Sequence, residues 1–269
     1  MTEHQNHYTH GFHDSVLRSH RWRTVENSAA HLLPELKPGR TLLDVGCGPG
    51  TITAGLAERV GAGLVTAVDS SAEVLAQAEQ AVPQSAGVRF RTADVHALPF
   101  ADASFDVVHA HQVLQHVADP VRALREMRRV CRPGGIVAVR DSDYAGFTWF
   151  PALPELEAWN ALYHRVARAN RGEPDAGRML RAWALEAGFE AGRIEASSST
   201  WCFAADEDRA WWGGMWAERI VSSGIAEQAV ADGFATRAEL RRISDGWRAW
   251  AADERGWLSV LHGELLYRA

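Results

Sequence analysis

The chain has little of what marks disulfide-bonded, metal-binding or membrane proteins. Only three of its 269 residues are cysteine, and Cys47, Cys131 and Cys202 show no paired spacing, so neither a disulfide framework nor a zinc site is indicated. No apolar stretch is long enough to span a bilayer, and the polar start lacks the apolar core of a secretory signal. We therefore expect a soluble, cytoplasmic protein that binds no metal and no membrane.

An excess of positive charge is also missing. The net charge is −6, whereas nucleic-acid binding depends largely on lysine and arginine side chains that neutralise phosphates. A helix predicted at 119–130 does carry Arg122, Arg125, Arg128 and Arg129. Because its apolar residues form a separate stripe, we interpret these arginines as a solvated outer face. The composition therefore predicts no nucleic-acid partner.

The most informative segment that is present is TLLDVGCGPG at residues 41–50, an apolar run that ends in an acid and in alternating glycines. Such a run is typical of a buried parallel strand, and the glycines let the backbone approach a small ligand closely. The spacing of Gly46, Gly48 and Gly50 differs from the dinucleotide-binding fingerprint, which has two residues between its second and third glycines. Pro49 also removes one amide donor. The loop therefore favours a ligand without a phosphate.

Three predicted strands end in carboxylates, namely Asp44, Asp69 and Asp94. Asp69 follows the glycine loop at the distance where doubly wound folds place an acid that binds ribose hydroxyls. Ligands of open α/β sheets lie beyond the carboxyl ends of the strands, so we expect the three acids to converge on one crevice.

The order of predicted elements indicates an α/β fold. Alternating strands and helices imply parallel strands joined by right-handed crossovers. The predicted strands are 41–45, 64–68, 88–92, 105–110, 135–140, about 193–203 and about 257–267. The predicted helices are 22–33, 51–60, 71–82, 119–130, 153–169 and 175–187, followed by a helical, tryptophan-rich stretch at 206–254.

Four segments follow one another in a recognisable order and spacing: LLDVGCGPG at 42–50, VDSS at 68–71, ADVHALPFADASFDVVHAHQVLQHVADP at 93–120 and RVCRPGGIVAVRD at 129–141. On these motifs the chain resembles the class I S-adenosylmethionine-dependent methyltransferases, especially the small-molecule enzymes of ubiquinone and menaquinone biosynthesis. The resemblance implies a Rossmann-like, doubly wound sheet of seven mostly parallel strands with an antiparallel last strand, plus a helical cap. It divides the chain into an N-terminal helical segment over the cofactor site (1–40), a cofactor-binding core (41–145) and a C-terminal half that completes the sheet (146–269), with a substrate cap at about 206–254.

The resemblance also implies S-adenosyl-L-methionine as the cofactor. Asp44 would lie near its ammonium group, Asp69 would bind the ribose, and Asp94 would accept a hydrogen bond from the adenine amine while Val95 packs on the ring. The main chain at His111 would approach the methionine moiety. The other expected cofactor contacts are Tyr8, Gly46, Cys47, Gly48, Gly50 and Ser70. The acids have structural alternatives, because Asp44 and Asp94 could stabilise turns and Asp69 could cap the following helix.

The acceptor side is less defined. Methyl transfer from a sulfonium is an in-line displacement, so a base is needed only where the acceptor must lose a proton. The weak candidates for catalytic groups are His111, Asp141, Asp143 and Tyr144, with His262 and Glu264 on the last strand as further candidates. The residues expected to contact the acceptor are Trp22, Asn27, Tyr144, Trp149 and Trp212, with a core position as the equal alternative for Trp22.

Tryptophan is concentrated in the C-terminal half, where ten of the eleven tryptophans follow residue 145. An aromatic cap suggests a planar or hydrophobic acceptor, because such side chains form large apolar walls. The alternative is that these rings only hold the added helices together.

The expected partner is thus a small-molecule methyl acceptor, and a homodimer stays open. Two other functions also stay open. A protein that binds S-adenosylmethionine without turnover would share every motif, whereas a nicotinamide-dependent oxidoreductase would need a different glycine spacing and a Tyr-x-x-x-Lys dyad that the sequence lacks.

Overall fold

The computed structural model describes residues 22–269. The cofactor contact predicted for Tyr8, and the rest of residues 1–21, therefore lie outside the described residues. The helices are α1 Val25–Ser28, α2 Thr51–Val60, α3 Ala72–Ala81, α4 Pro120–Val130, α5 Pro154–Ala169, α6 Ala176–Glu186, α7 Asp206–Ser222, α8 Gly224–Ala231 and α9 Arg237–Ala252. The strands are β1 Leu42–Val45, β2 Val65–Asp69, β3 Arg89–Thr92, β4 Phe105–His111, β5 Cys131–Ser142, β6 Thr148–Phe150, β7 Ile194–Phe203 and β8 Trp257–Arg268.

All eight strands of the described chain join one sheet, in which β8 alone runs opposite to the others. The order is β3-β2-β1-β4-β5-β8. On the far side of β8, strand β7 pairs along most of its length, while the short β6 pairs with the start of β8 on the side of β5. The predicted Rossmann-like, mostly parallel sheet with an antiparallel last strand is confirmed.

Two local predictions were wrong. The sheet contains an eighth strand, β6, because a three-residue strand is too short to show a periodic pattern. The helix predicted at 22–33 is reduced to α1 and a 3₁₀ turn at Leu33–Glu35. Thr24 and Asn27 cap α1 reciprocally, and Pro34, which lacks an N–H, lies in the 3₁₀ turn.

The two faces of the sheet are covered by different layers. Alternate strand residues point to opposite faces, so Leu42 and Val107 pack with α1 and α2, whereas Leu43 and Val108 pack with α4 and α6. The predicted apolar face of α2, formed by Ile52, Leu56 and Val60, is buried. This arrangement leaves the carboxyl ends of the central strands exposed to the cap.

The arginines of α4 do more than face solvent. Arg125 donates to the backbone carbonyl of Glu186, the last residue of α6, and Arg128 to that of Gly188, just after it. Arg122 donates to the carbonyl of His96. These contacts tie α4 to its neighbours, an arrangement that the helical periodicity alone does not indicate.

The cap is a cluster of helices α5, α7, α8 and α9 packed over the ends of β7 and β8. Its centre is a group of four fully buried tryptophans, Trp159, Trp216, Trp247 and Trp250. Within residues 22–269, no helix is both long and apolar enough to cross a membrane, and no group of three potential metal ligands comes together.

Candidate functional site

The loop between β1 and α2 has three glycines with positive φ, but they serve different purposes. A Cβ at Gly46 would collide with the side chain of Val113 in the turn after β4, and one at Gly50 would come within 2.7 Å of Val82. A Cβ at Gly48 would meet no atom within 4 Å. Gly46 and Gly50 therefore allow close packing inside the protein, whereas Gly48 faces the open space in which a ligand would lie.

Asp69, the last residue of β2, points its carboxylate at this loop. Its Oδ2 accepts from the Gly48 N–H (3.1 Å) and its Oδ1 from the Ser71 N–H (3.0 Å). Burial raises the pKa of Asp69, although these hydrogen bonds act in the opposite direction. The cap of α3 is instead Ser71, whose hydroxyl accepts from the Val74 N–H, so the capping alternative for Asp69 is wrong. Ser70, between them, is exposed.

Asp94 follows β3 and has the turn role considered for it. It accepts from the backbone N–H and the Nδ1 of His96, at 2.9 and 2.7 Å, and so stabilises a turn. Its side chain is still 64% exposed, so it can meet a ligand as well. Val95 is buried in the core beside it. Cys47, in the glycine loop, is also buried, and burial raises the pKa of its thiol, which therefore stays neutral.

Asp44 differs from the other two acids, because side chains of other elements bind both of its oxygens. Oδ2 accepts from the Thr53 hydroxyl (2.6 Å) and Oδ1 from His109 Nδ1 (2.8 Å). The side chain is buried on the α2 face of the sheet. The three carboxylates therefore do not converge as equivalent groups: Asp69 and Asp94 border the open edge, and Asp44 lies beneath it.

A small cavity of about 20 Å³ lies beyond the ends of β4 and β5, under the cap. This volume holds about one water molecule, so the lining side chains must move apart before a small molecule can enter. We call it the aromatic cavity. It is lined by Arg23, Gln112, Ser142, Tyr144, Phe147, Trp201, Trp212, Trp216, Arg219 and Val260.

Gln112, directly after β4, connects the elements around the aromatic cavity. It has a left-handed φ of +54°, which is rare for a residue with a side chain and often marks functional sites. Its Oε1 accepts from Arg23 (2.5 Å), and its Nε2 donates to the Ser142 hydroxyl (2.7 Å) and His262 Nε2 (2.9 Å). The amide thus joins the segment before α1 to β5 and β8.

Two histidines are buried behind this amide. His262 donates from Nδ1 to the Val260 carbonyl (3.0 Å) and accepts from Gln112, so it is neutral. His111 has no hydrogen-bond partner on either ring nitrogen among the described residues, and its ring lies 5.8 Å from that of Trp201. Burial, together with the charges of Arg140 and Arg23, lowers the pKa of both histidines well below the ordinary value.

The candidate bases at the end of β5 and just after it differ in position. Asp143 accepts from Arg178 Nε (2.7 Å) and Nη2 (2.6 Å), so its charge is matched away from the aromatic cavity. Asp141 is fully buried and accepts from the Gln115 N–H (3.1 Å), and burial raises its pKa to about 7. Tyr144 lines the aromatic cavity, and its ring stacks on that of Tyr163.

Three of the residues expected to contact the acceptor do not line the aromatic cavity. Trp22 packs against Trp201 of β7. Asn27 caps α1 and accepts from Trp201 Nε1 through its carbonyl, and Trp149 packs edge-on against Trp159. Tyr144 and Trp212 do line it. Glu264 is occupied by Arg140, Ser197 and Ser199. Packing and capping contacts within the protein therefore account for Trp22, Asn27 and Trp149.

Gln112, Arg23 and Arg219 were not predicted as site residues from the sequence. Only Gln112 could have been proposed, because it follows the end of a predicted strand. Arg23 and Arg219 lie almost 200 residues apart in the sequence and meet at the aromatic cavity only because the cap folds over the sheet. His109, the partner of Asp44, lies two residues before His111 on β4. This spacing could have placed both histidines on the same face of the strand.

Comparison with known proteins extends the match over the whole chain. Residues 43–139 match the family described as a methyltransferase domain. The chain is 36% identical to an uncharacterized methyltransferase of Schizosaccharomyces pombe, and the alignment covers 98% of this chain and 97% of that protein. The chain belongs to the class I S-adenosylmethionine-dependent methyltransferases.

The methyltransferase also matches the ubiquinone/menaquinone biosynthesis C-methyltransferase of Bdellovibrio bacteriovorus, with 38% identity over 53% of this chain and 60% of that one. Phosphoethanolamine N-methyltransferase 2 of Haemonchus contortus, solved with S-adenosyl-L-methionine, aligns with a TM-score of 0.55 and 19% identity over 89% of this chain and 51% of that one. The latter likeness concerns the fold. The predicted family and enzyme class are confirmed, in preference to the oxidoreductase.

The open edge of the methyltransferase sheet has the chemistry that the family's cofactor requires. Gly48 leaves room against the loop, so that a ligand can approach the backbone where a Cβ would otherwise stand. The Asp69 carboxylate is suited to a vicinal diol, and the exposed Asp94 carboxylate beside buried Val95 is suited to an amine on an apolar ring. The residues therefore fit S-adenosylmethionine.

Proposed function

We propose that this methyltransferase transfers the methyl group of S-adenosylmethionine to a planar or hydrophobic small molecule bound in the aromatic cavity. The observation that supports this most is the position of the aromatic cavity, which is lined by the residues that follow β4 and β5. Those strand ends lie at the same sheet edge as the glycine loop and Asp69, because β4 pairs with β1. Donor and acceptor would thus be neighbours.

In this proposal the cofactor is bound by the residues of the strand ends. Asp69 accepts hydrogen bonds from the ribose hydroxyls, and Asp94 accepts one from the adenine amine while Val95 supports the ring. The main chain at His111 faces the methionine moiety. The remaining residues that surround the cofactor are Gly46, Cys47, Gly48, Gly50 and Ser70. Asp44 contributes through its negative charge beneath the loop.

The acceptor is held by the walls of the aromatic cavity. S-adenosylmethionine supplies a methyl group that is already activated by its sulfonium sulfur. The rings of Trp201, Trp212 and Tyr144 exclude water and hold a flat substrate in line with that methyl group. Positioning of this kind removes on the order of 7 to 11 kcal/mol from a bimolecular barrier, so the chain needs few chemically active side chains.

The experiment is a transfer assay with methyl-labelled S-adenosylmethionine and a panel of aromatic acids, phenols and amines. Labelled product together with stoichiometric S-adenosylhomocysteine is the expected result. Trp212→Ala should raise the KM for the acceptor and leave the Kd of the cofactor unchanged, while Trp257→Ala, outside the aromatic cavity, should change neither. Tight cofactor binding without turnover on any acceptor would favour a binding protein over the enzyme.

A further inference from the structure

The turn after β3 contains a side-chain pair that the proposed function does not use. Asp94 Oδ1 accepts from the backbone N–H of His96 at 2.9 Å and from Nδ1 of the same residue at 2.7 Å. Because a carboxylate only accepts, the imidazole carries a proton on Nδ1. Within residues 22–269, no group donates to Oδ2 of Asp94. The turn therefore engages one carboxylate oxygen twice and leaves the other for a ligand.

The two side chains of the pair differ in exposure. The side chain of Asp94 is 64% exposed, whereas that of His96 is 11% exposed. An exposed carboxylate without a partner rotates among several rotamers, and a ligand that fixes it must offset the lost freedom. The contact with the largely buried imidazole removes part of that freedom before any ligand arrives. The carboxylate is therefore preorganised.

The pair borders the sheet edge that we assign to the cofactor. Ala93, the residue before Asp94, donates its N–H to the carbonyl of Asp69 (3.0 Å). The turn after β3 thus adjoins the end of β2, and the exposed carboxylate of Asp94 lies on the same side of the sheet edge. Val95, between the two members of the pair, is buried in the core, so an apolar side chain adjoins the polar group.

The backbone of this turn is held without the imidazole. Arg122 Nε of α4 donates to the carbonyl of His96 (2.9 Å). Two further residues of the same helix, Glu126 and Arg129, bind the N–H and the carbonyl of Leu98. The ring makes no second hydrogen bond, since Nε2 of His96 has no partner in the described part of the chain. Removing the ring should therefore free the carboxylate and leave the turn in place.

From this arrangement we propose that His96 is a positioning residue, which fixes the Asp94 carboxylate so that Oδ2 accepts a hydrogen bond from the exocyclic amine of the cofactor's adenine. This inference rests on the proposed function, which assigns that amine to Asp94. His96 does not touch the cofactor and acts through the carboxylate. A purine without the amine gains nothing from a fixed acceptor, so His96 makes binding selective for adenine.

The test is calorimetric binding of two ligands to the full chain. They are S-adenosylhomocysteine and its analogue in which hydrogen replaces the 6-amino group of the adenine. The wild type should prefer S-adenosylhomocysteine about tenfold or more. His96→Ala should weaken S-adenosylhomocysteine binding about threefold to tenfold and leave the affinity for the analogue unchanged. Equal losses for the two ligands, or no loss for either, overturn the proposal.

Two other substitutions of His96 separate its donor from its bulk. His96→Asn keeps a side-chain donor near the position of Nδ1 and should retain most of the preference. His96→Phe keeps a ring without the donor and should lose the preference as His96→Ala does, so it also serves should the alanine variant fail to fold. A preference that survives in the phenylalanine variant contradicts the role of the imidazole.

Arg122→Ala is the matched control, because it removes a contact to the His96 carbonyl and none to the Asp94 carboxylate. The ratio of the two affinities should stay as in the wild type. In an Asp94→Ala background, His96→Ala should cause no further change, since the pair then no longer exists. A ratio that collapses in the Arg122 variant, or an additional loss in the Asp94 background, overturns the proposal.

The outcomes separate this inference from the function on which it rests. A wild type that binds the two ligands equally tightly overturns the role of His96 and leaves the methyltransferase function intact. A wild type that binds neither counts against both. Selective binding of S-adenosylhomocysteine that depends on His96, without methyl transfer to any acceptor, supports the inference and counts against the proposed function.

Discussion

The edge of the sheet that we assign to the cofactor and the aromatic cavity are built in different ways. The first is assembled from the ends of β1, β2 and β3, three neighbouring parallel strands, and its carboxylates are followed at once by turns or a helix. The second takes its lining from the segment before α1, from four strands or the residues after them, and from α7. A binding edge can therefore come from repeated local units, whereas a selective cavity requires distant parts of the chain to fold together.

The largest expected effect is a loss of stability in the cap, with the sheet edge assigned to the cofactor unaffected. Trp247 is fully buried, with Trp159 at 4.8 Å and Trp216 at 6.2 Å between ring centres. Trp247→Ala should lower the free energy of unfolding by about 3 to 5 kcal/mol through the cavity that it leaves. Chemical denaturation measures this, with Trp257→Ala, at a 41% exposed position, as the control. Equal effects of the two changes would show that the tryptophan cluster does not hold the cap.

The glycine loop allows packing and ligand approach to be separated. Gly46→Ala should lower the free energy of unfolding by about 2 to 4 kcal/mol, because the left-handed conformation of the alanine and its clash with Val113 both cost free energy. Gly48→Ala has only the backbone cost of about 1 to 2 kcal/mol and should instead weaken cofactor binding. Thermal unfolding and calorimetric titration with S-adenosylhomocysteine measure the two effects. A Gly48→Ala protein with unchanged affinity would place the ligand elsewhere.

Asp69 tests the edge without disturbing the cavity. Asp69→Ala should weaken S-adenosylmethionine binding by about 1 to 3 kcal/mol through the lost ribose hydrogen bonds. Affinity for the acceptor, measured separately, should stay the same. Asp102→Ala is a suitable control, since Asp102 is exposed and pairs with Arg129. An unchanged dissociation constant for the Asp69 variant would contradict the assigned contact.

Asp141 lies under the turn that joins the two regions, and pH should reveal it. Its pKa in the folded protein is about 7, raised mainly by burial, against about 3.9 in an unfolded chain. Between these values the folded state holds a proton that the unfolded state releases, so stability contributed by this group falls as pH rises from about 4 to 7.

The corresponding measurement is urea unfolding at pH 5 and pH 8. Asp141→Asn should flatten the dependence, by at least about 1 kcal/mol, because one unit of pKa shift corresponds to about 1.36 kcal/mol. Asp245→Asn, on the exposed surface, should leave the profile as it is in the wild type. A profile that the Asp141 variant shares with the wild type would show that this carboxyl does not titrate in that range.

The difference between the two regions also explains what the sequence could predict. The strand ends at Asp69 and Asp94 were located because a buried strand, an acid and a turn follow one another within a few residues. Periodicity located α2 to its terminal residues. Asp44 was placed near the ammonium group from the resemblance. Its hydrogen bonds to Thr53 and His109 could not be predicted, because these partners lie on other elements.

The cavity was beyond such reasoning for a physical reason. Aromatic composition correctly indicated a cap, from which Trp212 was chosen, whereas Tyr144 was chosen from its position after the end of the fifth strand. Trp22 and Trp149 are tryptophans as well, but they pack away from the aromatic cavity. Tertiary packing decides which face of each ring is covered. Arg219 has no signal at all, since on α7 it follows the same helical period as its apolar neighbours and becomes distinctive only once the cap closes on the sheet.

The distribution of indole side chains has an optical consequence. Residues 23–148 contain no tryptophan, while Trp201, Trp212 and Trp216 border the aromatic cavity and further tryptophans pack behind them. Apart from Trp183, which packs with α4 on the sheet, intrinsic emission from this enzyme therefore comes from the cap side of the molecule and reports little on the edge that we assign to the cofactor. Quenching on addition of an acceptor would report directly on its arrival, whereas the donor would have to be followed by heat or by radiolabel.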